Sequence, residues 1–261
     1  MQVNRIIGFA VTAVITAVAC AAPGAMAATK TSPAEAAIQA AAKQGRYAIV
    51  TFYKQNDTAS TKMLEEAKKL QATYSSRANF VIADVGNAVH KELIAKCGAD
   101  RAPMPLTLVI APNGAVTAGY PNAINKTDIS DAFVSNGMAN VLKTLQDGKL
   151  AAICVQSSKT TLNKESLAAA EGLKYGAQFR DAMEIVKIDP SDNSEAKLVQ
   201  SLKIKADAEN AQLVIIAPPG RIIGTFDGTA TTDSITATLT KALSGGTCGS
   251  GGCGSGGCGG R

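Results

Sequence analysis

The sequence has no Trp, a single His and few aromatic residues, 4% of 261 positions. Each scarcity removes a class of function. A groove for single-stranded nucleic acid pairs basic side chains with stacking aromatics, and the stacking partners are largely missing. The basic residues are spread along the chain instead of forming a stripe, at a formal net charge of +5, so nucleic acid is not expected as a partner. His90, the one histidine, has no metal ligands beside it in sequence and cannot build a triad; a surface or helix-capping role is expected. Beyond Ile6–Ala22, no run approaches the apolar length that crosses a bilayer.

That N-terminal run follows Arg5 and leads through Pro23 and Gly24 into the small-x-small triplet Ala25, Met26, Ala27. The pattern reads as an export signal over residues 1–27 with cleavage after Ala27. Losing Arg5, the segment's only charged residue, takes the formal charge from +5 to +4. Two other readings use the same residues: Cys20 as the lipidated first residue of a lipoprotein, or an uncleaved anchor. The membrane enters only through one of these, and the mature chain is expected to be exported, periplasmic or extracellular.

The opposite end, residues 245–261, contains almost nothing but Gly, Ser and Cys. It cannot bury enough apolar surface to offset the entropy of ordering it and is expected to be a disordered tether. Cys248, Cys253 and Cys258 lie five residues apart on it. Flexible-chain scaling gives a root-mean-square separation of about 12 Å for neighbouring thiols and about 17 Å for the outer pair, so three sulfurs can converge. Thiolates favour Cu(I), Zn(II) and similar soft ions. Three of them suit trigonal Cu(I), whereas zinc needs a fourth ligand. Disulfide exchange, covalent attachment and a simple spacer are the competing readings, because three thiols cannot all pair among themselves.

Between the ends an internal repeat points to two domains, 32–147 and 149–244. LVIAPNG at Leu108–Gly114 matches VIIAPPG at Val214–Gly220 at an offset of 106. Each is a strand entering a Pro/Gly turn and a second short strand, hence a hairpin. Around the first hairpin the elements run αβαβαββα. Ser32, Pro33 and Glu35 open a helix ending at Gly45; YAIVTFY at Tyr47–Tyr53 is a buried strand; a helix spans about 60–74, a strand 79–85, and a short helix carries Leu93, Ile94 and Cys97. One helix bearing Ile129, Phe133, Met138, Val141 and Leu145 closes the unit. The second half repeats the order with strands at 150–156 and 183–188 and a helix at 163–174. Parallel strands joined by helices and followed by a hairpin give an α/β fold, a mixed sheet flanked by helices in each half.

Val50, Thr51, Phe52 and Tyr53, then a polar turn and Lys62–Glu65, with Met104 and Pro105 ahead of LTLVIAPNGAV, resemble the thioredoxin-like superfamily. The likeness is close over 33–145 and weaker over 149–244. It implies two tandem thioredoxin-like domains, a cis peptide at Pro105, and a peptide-docking backbone beside Met104 and Pro105. This chain departs from the pattern where the family's chemistry resides. Asp57, Thr58, Ala59 and Ser60 occupy the Cys-x-x-Cys position, and Gln156–Lys159 in the second half also lacks a cysteine pair. Without a thiolate, disulfide exchange cannot start there. Asn210 and Ala211 replace Met104 and Pro105. Asp57 and Ser60 are expected to cap a helix, Asp84 and Asp189 to shape turns, and Cys97 and Cys154 to act as small buried hydrophobes.

The reading that follows is an exported, non-catalytic binding scaffold with a soft-metal site on its tail thiols. A thiol-disulfide oxidoreductase using the tail, and a redox-silent chaperone binding a protein or peptide client at Pro105, are its alternatives.

Overall fold

A computed structural model of the chain describes residues 31–55, 57–205 and 207–244. The expected export signal with Cys20, and the tail with Cys248, Cys253 and Cys258, lie outside these residues. Among the described residues no helix is long and apolar enough to cross a membrane.

In the first half, helix α1 (Pro33–Lys43) is opened by a complete capping box: Ser32 Oγ accepts the Glu35 N–H, and the Glu35 carboxylate accepts the Ser32 N–H. Strand β1 (Tyr47–Tyr53) is rich in β-branched and aromatic residues and is covered on both faces. Helix α2 (Thr58–Tyr74) carries the chain to β2 (Ala78–Asp84), parallel to β1. A 3-10 turn, Ala88–His90, leads into α3 (Lys91–Lys96). Strands β3 (Leu106–Ile110) and β4 (Val116–Pro121) form the first hairpin, whose turn holds Gly114 at φ 85°, a backbone angle that side chains resist. Helix α4 (Lys126–Ala132) completes the half.

The sheet order is β2-β1-β3-β4. On one face α1 and α3 bury Ala41, Leu93 and Ile94 against Val50, Phe52 and Leu108. On the other, α2 and α4 bury Met63, Leu70 and Ile129 against Ile49 and Val109. Each of these side chains larger than alanine contributes about 1.5–3 kcal/mol by leaving water.

The second half has the same order in β5 (Leu150–Val155), α6 (Asn163–Tyr175), β6 (Met183–Ile188), α7 (Ala196–Ser201), β7 (Gln212–Ala217), β8 (Arg221–Asp227) and α8 (Thr232–Ser244). Its sheet runs β6-β5-β7-β8, with the same parallel and antiparallel pairings.

One element departs from expectation. The single helix expected to close the first half is two: α4 stops at Ala132, Phe133 is extended, and Ser135 caps a new helix, α5 (Asn136–Gln146), by accepting the Met138 N–H. Tyr47 fixes the break, since its hydroxyl donates to the Val134 C=O and accepts the Val134 N–H. Helix α5 lies on the second sheet, where Val141 joins Ile153, Val186 and Leu198. It does there what α1 does on the first sheet, so a limit at 147 runs past the helix that opens the second sheet. The opposite side of α5 faces the first hairpin, with Ala139 packed on Ala111 and Ala115.

Candidate functional site

β3 runs antiparallel to β1 with Leu106 opposite Phe52. The start of β3, the end of β1 and the first turn of α2 therefore meet at one end of the first sheet. Asp57–Ser60 and Met104–Pro105 are brought to this same end.

Asp57 is the N-cap of α2. Its carboxylate accepts both the N–H (2.8 Å) and the hydroxyl (2.7 Å) of Ser60. Ser60 is buried, and its Oγ also accepts the Lys54 N–H at 3.1 Å. These bonds, the Ser60 hydroxyl first, hold the Asp57 carboxyl below its ordinary range. The loop is thus a closed hydrogen-bond ring with an ionised carboxylate, and it contains no thiol. Thr58 and Ala59 are exposed on the first helical turn. Beneath it lies a buried polar chain, with Thr51 Oγ1 3.0 Å from Thr107 Oγ1 and the Thr107 hydroxyl donating to Met63 Sδ at 3.1 Å.

The Met104–Pro105 peptide is cis. The Pro105 C=O accepts the Asn122 N–H at 2.7 Å. Met104 is half-buried, and its own N–H and C=O have no hydrogen-bond partner among the described residues. Unpaired backbone beside the end of a sheet is suited to adding an extended segment.

The second half contains a matching serine that sequence reasoning missed. The degenerate loop expected at Gln156–Lys159 leaves β5, while α6 begins at Asn163 as expected, so a seven-residue connection, 156–162, lies between strand and helix. In α2, Ser60, Met63 and Ala67 face the core; in α6, Ser166, Ala169 and Leu173 do. Asn163 and Ser166 thus stand where Asp57 and Ser60 stand. The shared i, i+3, i+7 burial was the signal available. The Ser166 Oγ is buried without a hydrogen-bond partner among the described residues.

Neither described cysteine is near a reactive state. Cys154 is fully buried in β5, and burial pushes its thiol up to about 11. Cys97 packs half-buried against the first core; burial, then the charge of Glu35, pushes its thiol up to about 11 as well. His90 corrects the expectation of a surface residue. It ends the 3-10 turn with 9% of its surface exposed and occupies the N-cap position of α3 without a side-chain capping bond, and its Nδ1 is buried without a partner among the described residues. Asp84 and Asp189 shape turns, accepting the N–H groups of Gly86 and Ser191. Among the described residues, no three His, Cys, Asp or Glu side chains are grouped to hold a metal ion.

Both domains have the thioredoxin-like fold. It stands on this chain's own strand order and registers, and on the cis proline of the first domain. No family model matches the chain, and no curated protein matches it. Among solved structures, it is similar to thioredoxin-2 of a malaria parasite, at 19% identity over 32% of this chain and 77% of that one, with a TM-score of 0.29. It is similar to the first two thioredoxin domains of Saccharomyces cerevisiae Eps1p, at 10% identity over 76% of this chain and 94% of that one, TM-score 0.27. It is also similar to human ERp44 in its zinc-bound form, at 12% identity over 77% of this chain and 56% of that one, TM-score 0.32. Each half thus carries the thioredoxin-like strand order, and in the first half the turn into α2 is Asp57–Ser60, without a cysteine.

Proposed function

We propose that this chain is an exported, non-catalytic thioredoxin-like binding scaffold whose tail thiols, Cys248, Cys253 and Cys258, bind a soft ion such as Cu(I) or Zn(II). One observation carries the reading. The loop that gives this fold its chemistry is an Asp57–Ser60 ring without sulfur, and the two thiols inside the domains, Cys154 buried and Cys97 half-buried, have raised pKa values. Thiolate chemistry at neutral pH is left to cysteines outside the folded domains. The regular five-residue spacing of three cysteines supports a shared ligand set. Binding of a thiolate ligand set would release the thiol protons, so affinity rises with pH.

Native mass spectrometry of the mature chain, purified anaerobically without chelator, tests the reading against a Cys248/Cys253/Cys258→Ser variant. A stoichiometric metal adduct that vanishes in the variant is expected. A metal-free wild type two mass units light, or a cross-linked dimer, overturns it and moves the tail into disulfide chemistry; insulin reduction lost in the serine variant would then mark an oxidoreductase.

A second reading, compatible with the first, is favoured by the unpaired backbone of Met104: the first domain takes an extended protein or peptide client there without redox chemistry. Isothermal titration with carboxymethylated insulin B chain, which is unfolded and has no free thiol, tests it; no heat of binding would remove the reading.

A further inference from the structure

Strand β2 ends the first sheet, and its outer edge is open. The Tyr47 N–H donates to the Arg77 C=O and the Val85 N–H to the Tyr53 C=O, so the odd-numbered residues of β2 bond to β1 and the even-numbered ones point their backbone groups away. The N–H and C=O groups of Phe80 and Ile82 have no hydrogen-bond partner among the described residues. Phe80 packs on the core beneath α2, whereas Ile82, on the same face, is 59% exposed.

The second half guards the equivalent edge. Ile82 stands opposite Thr51 and Lys187 opposite Cys154, the fifth residues of the two central strands. Lys187 is exposed, and strand pairing there would strip water from its charge. Strand β2 has no lysine, and its charges stand at its two ends. At one end Arg77 is exposed and Arg46 donates to the Ser75 and Ala78 carbonyls; at the other is Asp84.

This edge is complementary to itself in one register. An antiparallel copy centred on Val81 sets Phe80 opposite Ile82 and Ile82 opposite Phe80, so that each opposed pair exchanges both N–H···O bonds and each Ile82 lies on the other copy's Phe80. The same register lays Asp84 beside the other copy's Ala78, where Arg46 and Arg77 stand. Centring on Ile82 would set Asp84 against Phe80, and a parallel copy would bring like charges together.

We infer that the β2 edge is a pairing surface for a second copy of this chain, joined antiparallel about Val81. Edge pairing buries little area, so the dimer is reversible and concentration-dependent. The test uses the mature chain with Cys248, Cys253 and Cys258 changed to Ser, which removes thiol and metal bridges between tails. Analytical ultracentrifugation from about 5 to 500 µM should show a monomer–dimer equilibrium, with the Phe80 and Ile82 amides exchanging roughly tenfold more slowly at the upper limit. Ile82→Lys changes a side chain in solvent, and Ile82→Pro removes an N–H that the ladder to β1 does not use. Both should remain monomeric at every concentration; should the proline variant not fold, the lysine variant carries the test. A wild type that stays monomeric, or a dimer that survives Ile82→Lys, would overturn the inference. Fast exchange at Phe80 and Ile82 within a dimer would place the contact elsewhere, and protection of both in a monomer would show that the chain covers its own edge; either result also overturns it.

Discussion

Gln146 closes the edge of β4 by pairing with both backbone groups of Val116: its Oε1 accepts the N–H at 2.9 Å and its Nε2 donates to the C=O at 2.7 Å. A side chain of α5 thus stands in for a neighbouring strand where the first sheet would otherwise expose open backbone. Gln146→Ala should cost about 1 kcal/mol, as expected for two partly solvated hydrogen bonds. The urea midpoint and the exchange rate of the Val116 amide report it. An unchanged Val116 rate would show that the pairing does not hold the edge.

Glu195 anchors the same helix from the other side. It is buried, and its carboxylate accepts the Ser135 hydroxyl at 2.6 Å and the Gly137 N–H at 2.9 Å at the start of α5. Glu195→Ala should destabilise by about 2–3 kcal/mol, since both bonds are to a charged acceptor at a helix N-terminus. Gly137→Ala should also destabilise, because a Cβ there would lie 2.6 Å from Glu195 Oε2 and 2.7 Å from Ile188 Cγ2. Thermal unfolding of both variants checks the pair; a wild-type melting temperature in either would remove that contact from the account.

Thiol reactivity should divide cleanly. With iodoacetamide at about pH 7.5, Cys248, Cys253 and Cys258 should be alkylated while Cys97 and Cys154 remain free, since thiols raised to about 11 supply almost no thiolate. Peptide mapping reads this directly. Cys97 and Cys154 also lose their stabilising contribution as pH rises from the ordinary 9.0 toward about 11, because their folded pKa lies above the unfolded one.

Redox chemistry should be restorable. Asp57→Cys with Ser60→Cys places two thiols on the first turn of a 17-residue helix, whose N-terminus favours thiolate, at the same end of the sheet as Pro105. The double variant should form an intramolecular disulfide and reduce insulin at least tenfold faster than the wild type, at the expense of the Asp57 cap, about 1 kcal/mol. Two free thiols after oxidation would mean that the loop no longer holds these positions in reach.

Acid should weaken the fold through two carboxylates. Lys96, then the Ser32 N–H, hold Glu35 below the usual 4.5, and Lys149 followed by Lys174 do the same for Glu184. Folded values below unfolded ones mean stability present above 4.5 and lost as pH falls through the folded values. Urea midpoints should fall below about pH 4.5 and fall less in a Glu35→Gln, Glu184→Gln variant; identical acid limbs would reject the assignment.

What could be read from the sequence was local. Tyr47–Tyr53 and Met183–Ile188 are strands at their expected limits, and the two Pro/Gly turns mark their hairpins, because strand propensity and turn chemistry act over a few residues. The Asp57 cap was legible for the same reason. The break at Phe133–Ser135 was hidden, since apolar spacing continues through it and the hydroxyl that sets it comes from Tyr47, far away in sequence. The burial of His90 was likewise invisible; its place in the repeat is that of Glu195, a position defined by packing between distant elements. The parallel bridge between Thr161 and Asn210 depends on a backbone N–H at Ala211, a property that no side-chain motif announces.

Ser32 and Ser135 open equivalent helices on successive sheets, so the copied unit of this chain starts at such a serine and ends before the next one. A single copy lifted out at 133–135 would leave with both helical layers on its sheet. One cut at 147 would carry Met138, Val141 and Leu145 into water, each an apolar side chain made for the other sheet. The extended stretch at Phe133–Ser135 is therefore the natural joint for permuting, transplanting or separately expressing the halves.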